Sequence, residues 1–560
     1  MKQSPSTTTN DARSSAKILV VDDEKLIRLT MKARLSRAGY EVVAVGDVNE
    51  AVTVLKENPN AFSAIITDIM MGDMDGFVFR DIVRGIDNSM PLFFLTALDP
   101  EEGSGFLKKI LADPISYYLP KAVETDVLIR RVRQIVASRR VQRFIDQKME
   151  EDRKSMELAA HVQRSLLPIR MIRSRYGFYT TFWHPKDIVS GDLYEAMRFG
   201  EHCYLYVLGD IQGHGTSAAL AMTAVQSFLK HLASTDDRAF LSPSDIANQM
   251  HRFFRASLAD VSYMTAMICL HDAAKGEVRW ITCGAGDIMV FDGGKALQVN
   301  PEKRGGMPIG LIRDTVFTKA DEVVTPLSPS AVAIAFTDGV LDLTRDRDGL
   351  EQLHADALSE ICADLADDAR KRGALCPLPH KIISMCAERG YTHFHDDVTA
   401  LVFGAAQDID GLYEAAVPLT PEHVDRAAQD IGAWCAERGL PDEFSGRLQL
   451  VVEEKLMNIY DHGFDERDRL REAVGLRLRV FSKDAQLAVW DYGTPEPSIE
   501  VAAGDASTAF ELVNKEMGGR GRGRLIVREL CNGVERNRYG SLNETIYHIP
   551  LELKAVSIDG

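Results

Sequence analysis

The stretch Lys17-Ile-Leu-Val-Val-Asp-Asp23 is a short apolar strand that ends in two acidic residues. An amphipathic helical segment follows at 26–38, and three more apolar stretches then end in a polar residue. These are Ala61-Phe-Ser-Ala-Ile-Ile-Thr-Asp68, Pro91-Leu-Phe-Phe-Leu-Thr96 and Ser116-Tyr-Tyr-Leu-Pro-Lys121. Strands that alternate with helices predict a parallel sheet with helices on both faces. Ligands of such sheets bind beyond the carboxyl ends of the strands, where these polar residues fall.

The polar strand ends suit the transfer of a phosphoryl group to a carboxylate. Asp22 and Asp23 can hold Mg²⁺, which prefers oxygen ligands, and Asp68 can accept the phosphoryl group. Lys121 supplies a cation for the developing charge, and the Thr96 hydroxyl can follow the new phosphate. A single acidic strand end is usually an ordinary turn, but five such positions in order favour the functional interpretation.

Residues 15–124 resemble the receiver domain of bacterial response regulators. The stretch Asp68-Ile-Met-Met-Gly-Asp-Met-Asp-Gly76 is similar to the phosphoacceptor loop of that family, and Tyr118 matches its switch aromatic residue. Ala122 is a departure, because the family usually has a proline after the lysine. The resemblance implies a flavodoxin-like fold and a sensor histidine kinase or phosphotransfer protein as the phosphate donor.

A linker over 125–168 shows apolar residues at heptad spacing within a highly charged segment. The seam consists of Ile145, Met149, Met156, Ala159 and Leu166, with Asp152 and Gln163 at its polar positions. One interpretation is a single amphipathic helix, and the other is a parallel coiled coil that joins two copies of the chain. We expect a helical, coiled-coil linker and a homodimer, with the helix ending at Pro168.

Four acidic residues of the central region lie at strand ends or in glycine turns, namely Asp192, Asp210, Asp338 and Asp396. Several carboxylates without a cluster of His or Cys favour Mg²⁺ or Mn²⁺ over zinc. A pair of such ions can generate hydroxide and hold a phosphate during in-line attack. The short alternating strands around these residues, interrupted by two longer helical stretches, predict a β-sandwich flanked by helices.

The order of these acids resembles the type-2C metal-dependent Ser/Thr phosphatases, and in particular their SpoIIE/RsbU branch, over 169–405. The match implies a type-2C-like αββα sandwich and a phosphoserine or phosphothreonine on a small STAS-type anti-sigma antagonist as the substrate. The metal ligands that it implies are Asp192, Asp210, Asp338 and Asp396, with the backbone carbonyl of Ile211. We choose Asp396 over Asp397 because Asp396 occupies the first acidic position of the motif.

The C-terminal region combines a helix, an acidic strand end and a glycine-rich run. On the predicted helix 444–462, Glu454 and Asn458 are four residues apart and share a face, so that Asn458 can hold Mg²⁺ on ATP and Glu454 can act as a general base. Leu487-Ala-Val-Trp-Asp-Tyr-Gly493 is a strand that runs into a turn. Gly518-Gly-Arg-Gly-Arg-Gly-Arg524 precedes a predicted helix, where glycines expose backbone N–H groups to phosphate.

Residues 412–556 resemble the GHKL (Bergerat) ATPase fold, an α/β sandwich, and within it the RsbW-type anti-sigma serine kinases. The ATP-binding residues that this implies are Asn458, Asp491, Gly493, Gly519, Gly521, Gly523 and Thr545, with Glu454 as the base of the kinase. The arginines at 520, 522 and 524 are more basic than the usual glycine-rich run of the family. They either grip phosphates or mark a degraded lid, so both a catalytic kinase and a binding module stay open.

Length and composition limit the folds and functions that the chain can have. A chain of 560 residues is too long for one core, so we expect a multidomain α/β and α+β protein with a disordered tail at 1–14. The net charge of −17 argues against nucleic-acid binding, and we find no apolar run long enough for a membrane helix. The eight cysteines contain no Cys-x-x-Cys pair, and with no signal peptide they indicate reduced thiols in the cytoplasm.

Together these regions resemble HsbR-type regulators of partner-switching pathways. They predict a two-component response regulator whose receiver controls dephosphorylation of a STAS-type antagonist, while an opposing serine kinase domain restores the phosphate. The cofactors are Mg²⁺ for the receiver and for ATP, and a Mn²⁺ or Mg²⁺ pair for the phosphatase. The alternative is a regulator that sequesters a sigma factor or antagonist through an inactive kinase-like domain. The sequence leaves the direction of control by the receiver open.

Overall fold

The computed structural model describes residues 16–58, 61–71, 74–96, 104–200, 202–213, 215–235, 241–258, 263–406, 411–464, 469, 472–495 and 530–552. The chain divides into two compact units, Met1–Lys154 and Ser155–Gly560. None of the helices in these described ranges is long and apolar enough to cross a membrane. All eight cysteines are free thiols.

The first unit is built on a five-stranded parallel sheet with the strand order β2-β1-β3-β6-β7. Its elements are β1 (Lys17–Val21), α1 (Lys25–Arg37), β2 (Glu41–Val45), α2 (Val48–Glu57), β3 (Phe62–Asp68), β4 (Met70–Met71), β5 (Met74–Asp75), α3 (Gly76–Ile86), β6 (Leu92–Thr96), α4 (Ser104–Leu111) and β7 (Ser116–Pro120). This is the doubly wound order of the flavodoxin-like fold, as the sequence predicted. The helix α5 (Thr125–Leu166) begins in this unit and ends in the second.

The uninterrupted apolar run of β1 follows from burial on both faces of this sheet. Ile18 and Val20 pack in one cluster with α1 and α5, whereas Leu19 and Val21 pack in another with α2 and α3. Successive strand residues point to opposite faces, so a parallel strand covered on both sides needs apolar residues at every position. The same burial places the polar strand ends at one edge of the sheet.

The second unit begins with a sandwich of two sheets. Their strand orders are β10-β11-β12-β13-β16 and β15-β14-β17-β18-β9-β8. The elements are β8 (Met171–Arg173), β9 (Gly177–His184), β10 (Asp192–Arg198), β11 (Cys203–Ile211), α6 (Thr216–Ala233), α7 (Pro243–Ser257), β12 (Met264–Asp272), β13 (Glu277–Cys283), β14 (Met289–Asp292), β15 (Lys295–Leu297), β16 (Val323–Pro326), β17 (Val332–Phe336), α8 (Ala355–Arg372), α9 (Leu378–Glu388) and β18 (Val398–Ala405). Helices α6 and α7 cover the first sheet and α8 and α9 the second, which is the predicted αββα sandwich.

A third sheet of the same unit is antiparallel and carries two helices on one face. The elements are β19 (Leu412–Pro418), α10 (Pro421–Glu437), α11 (Asp442–His462), β20 (Ala473–Val480), β21 (Asp484–Asp491), β22 (Gly533–Tyr539) and β23 (Leu542–Pro550). The strand order is β19-β20-β21-β23-β22, and α10 and α11 share one apolar core with this sheet. The arrangement is the α/β sandwich that the GHKL resemblance implied.

The opposite face of this third sheet packs against the αββα sandwich. Trp490 and Leu542 are fully buried in one apolar cluster with Met171 from β8. Beside the cluster, Arg173 Nη1 lies 2.6 Å from Glu414 Oε2, and both side chains are largely buried. The sheet is therefore covered on both faces, once by its own helices and once by the neighbouring sandwich.

The linker helix α5 is longer than the predicted seam, and one part of it is exposed while its end packs on the sandwich. Ile145 and Met149 of the seam are exposed, whereas Gln163 is buried. The Gln163 side chain donates to the carbonyl of Ser190 at 2.6 Å and accepts from the Ser190 N–H at 3.1 Å. The assignment of Gln163 to a coiled-coil seam was wrong, because the sandwich takes up this side chain. A heptad pattern shows which face of a helix is buried but not which partner buries it.

We expect Arg173→Ala to destabilise the second unit. Glu414 is a buried acid whose pKa burial raises, and Arg173 opposes that shift together with Arg370 and Arg477. Removal of Arg173 takes away one of the positive charges beside the buried Glu414 carboxylate. This should lower the unfolding free energy by about 3 kcal/mol. Urea unfolding followed by tryptophan fluorescence, to which the interface residue Trp490 contributes, measures the loss.

The matched control is Arg345→Ala. Arg345 pairs with Glu351 at 3.7 Å, but the side chains are 49% and 64% exposed. Such an exposed pair contributes at most about 1 kcal/mol. Equal shifts of the urea midpoint in the two variants would contradict a structural role for the buried pair.

Candidate phosphoacceptor, metal and nucleotide sites

The carboxyl edge of the parallel sheet gathers acidic groups around Asp68. Asp68 ends β3, and its Oδ2 lies 2.7 Å from Lys121 Nζ, which also contacts Glu24 at 3.0 Å. One carboxylate oxygen each from Asp22, Glu24 and Asp68 lies within 4.8 Å of the others. Burial raises the pKa of Asp22 to about 6, and Asp68 adds to this shift. These oxygens form a set that could hold one divalent cation.

Lys121 is held in its charged form by these acids. Burial lowers the pKa of Lys121, but hydrogen bonds to Asp68 and Glu24 more than offset this effect and leave the pKa above its ordinary value. The N–H of Lys121 also donates to the carbonyl of Thr96 at 2.8 Å, which fixes the backbone next to Ala122. The residue that replaces the usual proline therefore follows a well-anchored lysine.

The remaining receiver residues fall at the same edge or beside it. Thr96 is buried at the end of β6, and Tyr118 is half-buried on β7. Asp23 is exposed, and the group of close oxygens includes Glu24 instead. The sequence reasoning missed Glu24, although a third acid directly after Asp23 was a visible signal. Gly76 is required by space, because a Cβ there would lie 2.4 Å from the Asp68 carbonyl oxygen.

The four acids of the central region lie where strands of the two sheets meet. Asp192 and Asp210 are paired across β10 and β11. Asp338 follows β17, and Asp396 precedes β18. Strands β17 and β18 are neighbours in the second sheet, whereas β10 and β11 belong to the first. The structure thus collects residues that are more than 200 positions apart in the chain.

Asp192 is the most deeply buried of these carboxylates. Its Oδ2 accepts hydrogen bonds from the hydroxyls of Thr337, at 2.9 Å, and Thr399. Burial raises the pKa of Asp192 far above its usual range, an effect that the Thr399 hydroxyl opposes and the charge of Asp210 reinforces. The side chain is therefore rigidly oriented, and its charge calls for a cation.

The other acids lie near enough to influence one another's pKa, and a Cβ added to Gly339, next to Asp338, would lie 3.5 Å from the Asp396 Cβ. Burial raises the pKa of Asp210 to about 7, and the charges of Asp338, Asp396 and Asp397 add to the shift. Burial and the charge of Asp396 also raise the pKa of Asp338. Among the described residues, these acids are spread more widely than the group around Asp68, whose oxygens all lie within 4.8 Å.

Asp397 has a role that the sequence reasoning did not assign. Its Oδ1 accepts from the N–H of Lys186 at 2.8 Å, and its Oδ2 accepts from the N–H of Gly191 at 2.7 Å. It therefore anchors the loop that leads into Asp192. A Cβ on Gly191 would lie 3.0 Å from the Ile211 carbonyl oxygen and 3.2 Å from Asp210 Oδ1, so the glycine keeps space beside these oxygens.

A cavity of about 280 Å³ lies between α11 and the strands of the third sheet. Asn458, Asp491 and Thr545 line it, as do Lys455 and Asn543, which the sequence reasoning did not single out. Polar groups therefore meet from the helix, from the end of β21 and from the last strand. Glu454 is half-buried on α11 and is not among the lining residues.

Asp491 is held in place by its neighbours. Its Oδ1 accepts from the N–H of Gly493 and from Asn543 Nδ2, both at 2.9 Å. A Cβ on Gly493 would lie 2.9 Å from the Gly463 backbone, so this turn needs glycine. Three predicted nucleotide-binding residues, Gly519, Gly521 and Gly523, lie outside the described residues.

Three family models match the chain. Residues 18–133 match the response regulator receiver domain, 200–405 match stage II sporulation protein E (SpoIIE), and 417–547 match the histidine kinase-like ATPase domain. The chain therefore carries a receiver domain, a SpoIIE phosphatase domain and an RsbW-like GHKL domain, in that order. The predicted architecture and fold class are confirmed.

Curated relatives match short stretches of the chain. A probable transcriptional regulator of Cyanophora paradoxa is 43% identical over 83 residues, which is 15% of this chain and 33% of that protein. A probable transcriptional regulator of Porphyridium aerugineum is 34% identical over 121 residues, which is 21% of this chain and 49% of that protein. The chain spans about half or less of the length of these relatives.

Solved structures match larger parts at low identity. The RsbU and RsbW domains of a Mycobacterium tuberculosis protein are 15% identical, with a TM-score of 0.38, and the match covers 68% of this chain and 96% of that one. The SiaA-PP2C domain of Pseudomonas aeruginosa is 21% identical, with a TM-score of 0.38, and the match covers 46% of this chain and 98% of that one.

The crowded carboxylates predict how the metal-depleted chain responds to pH. Because the pKa of Asp210 is raised from 3.8 to about 7, the folded state keeps a proton that the unfolded state releases. The stabilisation from this proton is complete below about pH 4 and is lost as the pH rises through 7. In EDTA, the unfolding free energy of Asp210→Asn, measured with urea, should therefore fall less steeply between pH 5.5 and 8 than that of the wild type.

Mn²⁺ should restore the stability of the wild type at pH 8 and have less effect on Asp210→Asn. The control is Asp272→Asn. Asp272 has a pKa below its usual value because hydrogen bonds from Lys275 outweigh burial, so it does not hold a proton in this range. If the unfolding free energies of the wild type and Asp210→Asn changed in parallel with pH, the repulsion between Asp210 and its neighbouring acids would not affect stability in solution.

Proposed function

We propose that the chain is a two-component response regulator that dephosphorylates a protein in a partner-switching pathway. The substrate is a phosphoserine or phosphothreonine on a STAS-type anti-sigma antagonist, and the C-terminal domain is an opposing serine kinase. The observation that carries the proposal is the convergence of Asp192, Asp210, Asp338 and Asp396 within a SpoIIE domain. Such a set of carboxylates suits phosphate-ester hydrolysis assisted by Mn²⁺ or Mg²⁺.

In this phosphatase site the residues of the chain position the ligands. A bound pair of divalent ions supplies a hydroxide nucleophile and neutralises the phosphate charge. Thr337 and Thr399 orient Asp192, and Asp397 holds the loop that precedes it. The Ile211 carbonyl, beside Asp210, completes the proposed ligand set.

We propose Asp68 as the acceptor of the phosphoryl group, with a sensor histidine kinase or phosphotransfer protein as the donor. Mg²⁺ would be held by Asp22, Asp23 and Asp68, and Glu24 adds an oxygen to the same edge. Lys121 already contacts the acceptor carboxylate and would neutralise the charge that develops on the phosphoryl group. Thr96 and Tyr118 complete the proposed switch.

The linker gives a covalent route from the receiver to the phosphatase site. Helix α5 begins five residues after β7 and ends at Leu166. Its buried Gln163 is bonded to both backbone groups of Ser190, whose hydroxyl accepts from the Asp192 N–H at 3.0 Å. A change in α5 would therefore reach the backbone of a proposed metal ligand through two hydrogen-bonded steps.

We propose that the exposed part of α5 forms a parallel coiled coil in a homodimer. Val141, Phe144, Ile145 and Met149 are between 43% and 67% exposed. Exposed apolar side chains in a highly charged helix are typical of a surface that a second helix covers. The seam would end before Gln163, which the phosphatase domain buries.

A second candidate function has its own support. Glu454 does not line the nucleotide cavity, so the C-terminal domain would bind ATP and sequester a sigma factor or antagonist with little phosphate transfer. Both candidates require Asn458 and Asp491 for nucleotide binding. They differ in whether Glu454 is needed for a reaction.

The phosphatase proposal predicts that Asp338→Asn lowers the rate at least about 100-fold, because a metal ligand is lost. The assay uses the full chain with Mn²⁺ and a STAS-type protein phosphorylated on serine, resolved by a gel that separates phosphoforms. The control Asp314→Asn changes an exposed acid and should keep the wild-type rate. Equal rates for wild type and Asp338→Asn would sink the proposed metal site.

Receiver control predicts that the phosphate mimic beryllofluoride changes the phosphatase rate of the wild type. Asp68→Asn, which removes the proposed acceptor, should show no response to the mimic while it keeps its basal rate. The sign of the change in the wild type reveals whether the receiver activates or inhibits. A response of the same size in Asp68→Asn would exclude Asp68 as the control point.

The two C-terminal functions are separated by a pair of substitutions. Asn458→Ala should abolish binding of Mg-ATP, measured by calorimetry, because the proposed Mg²⁺ ligand is lost. Glu454→Ala should keep ATP binding and lose transfer of labelled phosphate to the antagonist. Equal transfer by Glu454→Ala and wild type would exclude Glu454 as the base, and ATP binding without any transfer by the wild type would favour the sequestering function.

A further inference from the structure

Two carboxylates lie in the wall of the nucleotide cavity, and they differ in how they are hydrogen-bonded. Glu544 uses both of its oxygens within the protein, since Oε1 accepts from Trp490 Nε1 at 2.9 Å and Oε2 accepts from Asn537 Nδ2 at 2.8 Å. Asp491 receives both of its hydrogen bonds on Oδ1, and none of the described residues donates to its Oδ2. The wall therefore offers one carboxylate oxygen that can still accept a hydrogen bond from a ligand.

The Asp491 carboxylate is held by a closed set of three hydrogen bonds. Asp491 and Asn543 face each other across β21 and β23. Asn543 Nδ2 carries two hydrogens, and it donates to Asp491 Oδ1 at 2.9 Å and to the Gly493 carbonyl at 2.8 Å. The Gly493 N–H donates to the same Asp491 Oδ1 at 2.9 Å. These three residues are therefore joined as one unit in the wall of the cavity.

Within this unit, Asn543 is the part that ties the carboxylate to the sheet. The bond from the Gly493 N–H is local, whereas Asn543 lies 52 residues further along the chain, on the neighbouring strand. The opposite orientation of the amide would place its oxygen against two acceptors, so Asn543 acts as the donor. The terminal torsion of an Asp side chain has broad energy minima, and the Asn543 amide restricts it. Asn543 therefore sets the direction of Asp491 Oδ2.

We propose that Asn543 is a positioning residue that directs Asp491 Oδ2 at the base of a bound nucleotide and makes the cavity select adenine. A carboxylate oxygen accepts from the amino group of adenine, whereas guanine carries a carbonyl oxygen, itself an acceptor, at the same ring position. A site built to bond one donor rejects an analogue that lacks it, because a buried polar group is then left unpaired. The inference rests on the proposed nucleotide binding and adds the residue that sets the choice of base.

The test deletes the amino group from the ligand and the amide from the protein. Calorimetry on the full chain in Mg²⁺ compares the dissociation constants of ATP and of purine riboside triphosphate, which has hydrogen in place of the adenine amino group. In the wild type, loss of the amino group should weaken binding about 10-fold or more, because a hydrogen bond to a charged group is lost. In Asn543→Ala this ratio should fall below about 3-fold, because the two deletions remove the same interaction.

The matched control is Asn537→Ala, which removes an amide of the same cavity wall that bonds to Glu544 and not to Asp491. Its ratio of dissociation constants should equal that of the wild type. An unchanged ratio in Asn543→Ala, or a wild type that binds both nucleotides equally, would overturn the inference. If Asn543→Ala does not fold, the isosteric Asn543→Asp, which lacks both N–H donors, carries the same comparison. Failure of the wild type to bind either nucleotide would overturn the proposed ATP site itself, a result distinct from an unchanged ratio.

Discussion

The carboxylate of Asp192 joins the two sheets of the phosphatase sandwich at the point where its chemistry is placed. It extends from the first sheet and accepts hydroxyl hydrogen bonds from Thr337 and Thr399, which belong to the second. The second sheet is locked at the same point, because the Thr337 N–H donates to the Thr399 carbonyl and the Thr399 N–H donates to the Thr337 hydroxyl. The sandwich cannot slip by one residue without breaking this set of bonds, so the fold and the spacing of the acids are fixed together.

This arrangement is electrostatically unfavourable, because it brings carboxylates near one another. The pKa of Asp210 is raised by its partial burial and by neighbouring carboxylates, and the charge of Asp396 contributes to the raised pKa of Asp338. A protein evolved only for stability would not collect these charges at one edge, since paired or apolar residues would fill the space at lower cost. The pair of divalent cations proposed for this site would offset the repulsion.

The sequence was sufficient where the position of a polar residue follows from the ends of regular elements. Apolar strands that end in Asp22, Asp68 or Thr96 predict both the parallel sheet and the edge at which these side chains lie, because the strand direction determines where a side chain emerges. Asp192 and Asp210 could be recognised in the same way, as acids at strand ends in a glycine-rich setting. These assignments need only the order of elements and the two-residue period of a strand.

The sequence was not sufficient where the direction of a side chain depends on a turn or on helix packing. Glu24, and not its neighbour Asp23, places an oxygen near Asp22 and Asp68, and Asp397, next to Asp396, accepts from backbone N–H groups. Gln163 fits a heptad, but it is the packing of α5 on the phosphatase domain that decides its partner. Lys455 became visible only when the cavity showed which face of α11 borders it.

The contact between the phosphatase and ATPase domains ties their two sites to one scaffold. Tyr492, next to Asp491, packs on His380 with ring centroids 5.2 Å apart, and His380 packs on Phe182 of β9 at 5.1 Å. Strand β9 pairs with β18, which carries Thr399 and begins two residues after Asp396. A series of aromatic contacts thus links the turn after Asp491 to β9, the strand that pairs with β18. Separation of the two domains would expose Trp490 and leave Glu414 without Arg173, so the stability of each domain depends on the joined unit.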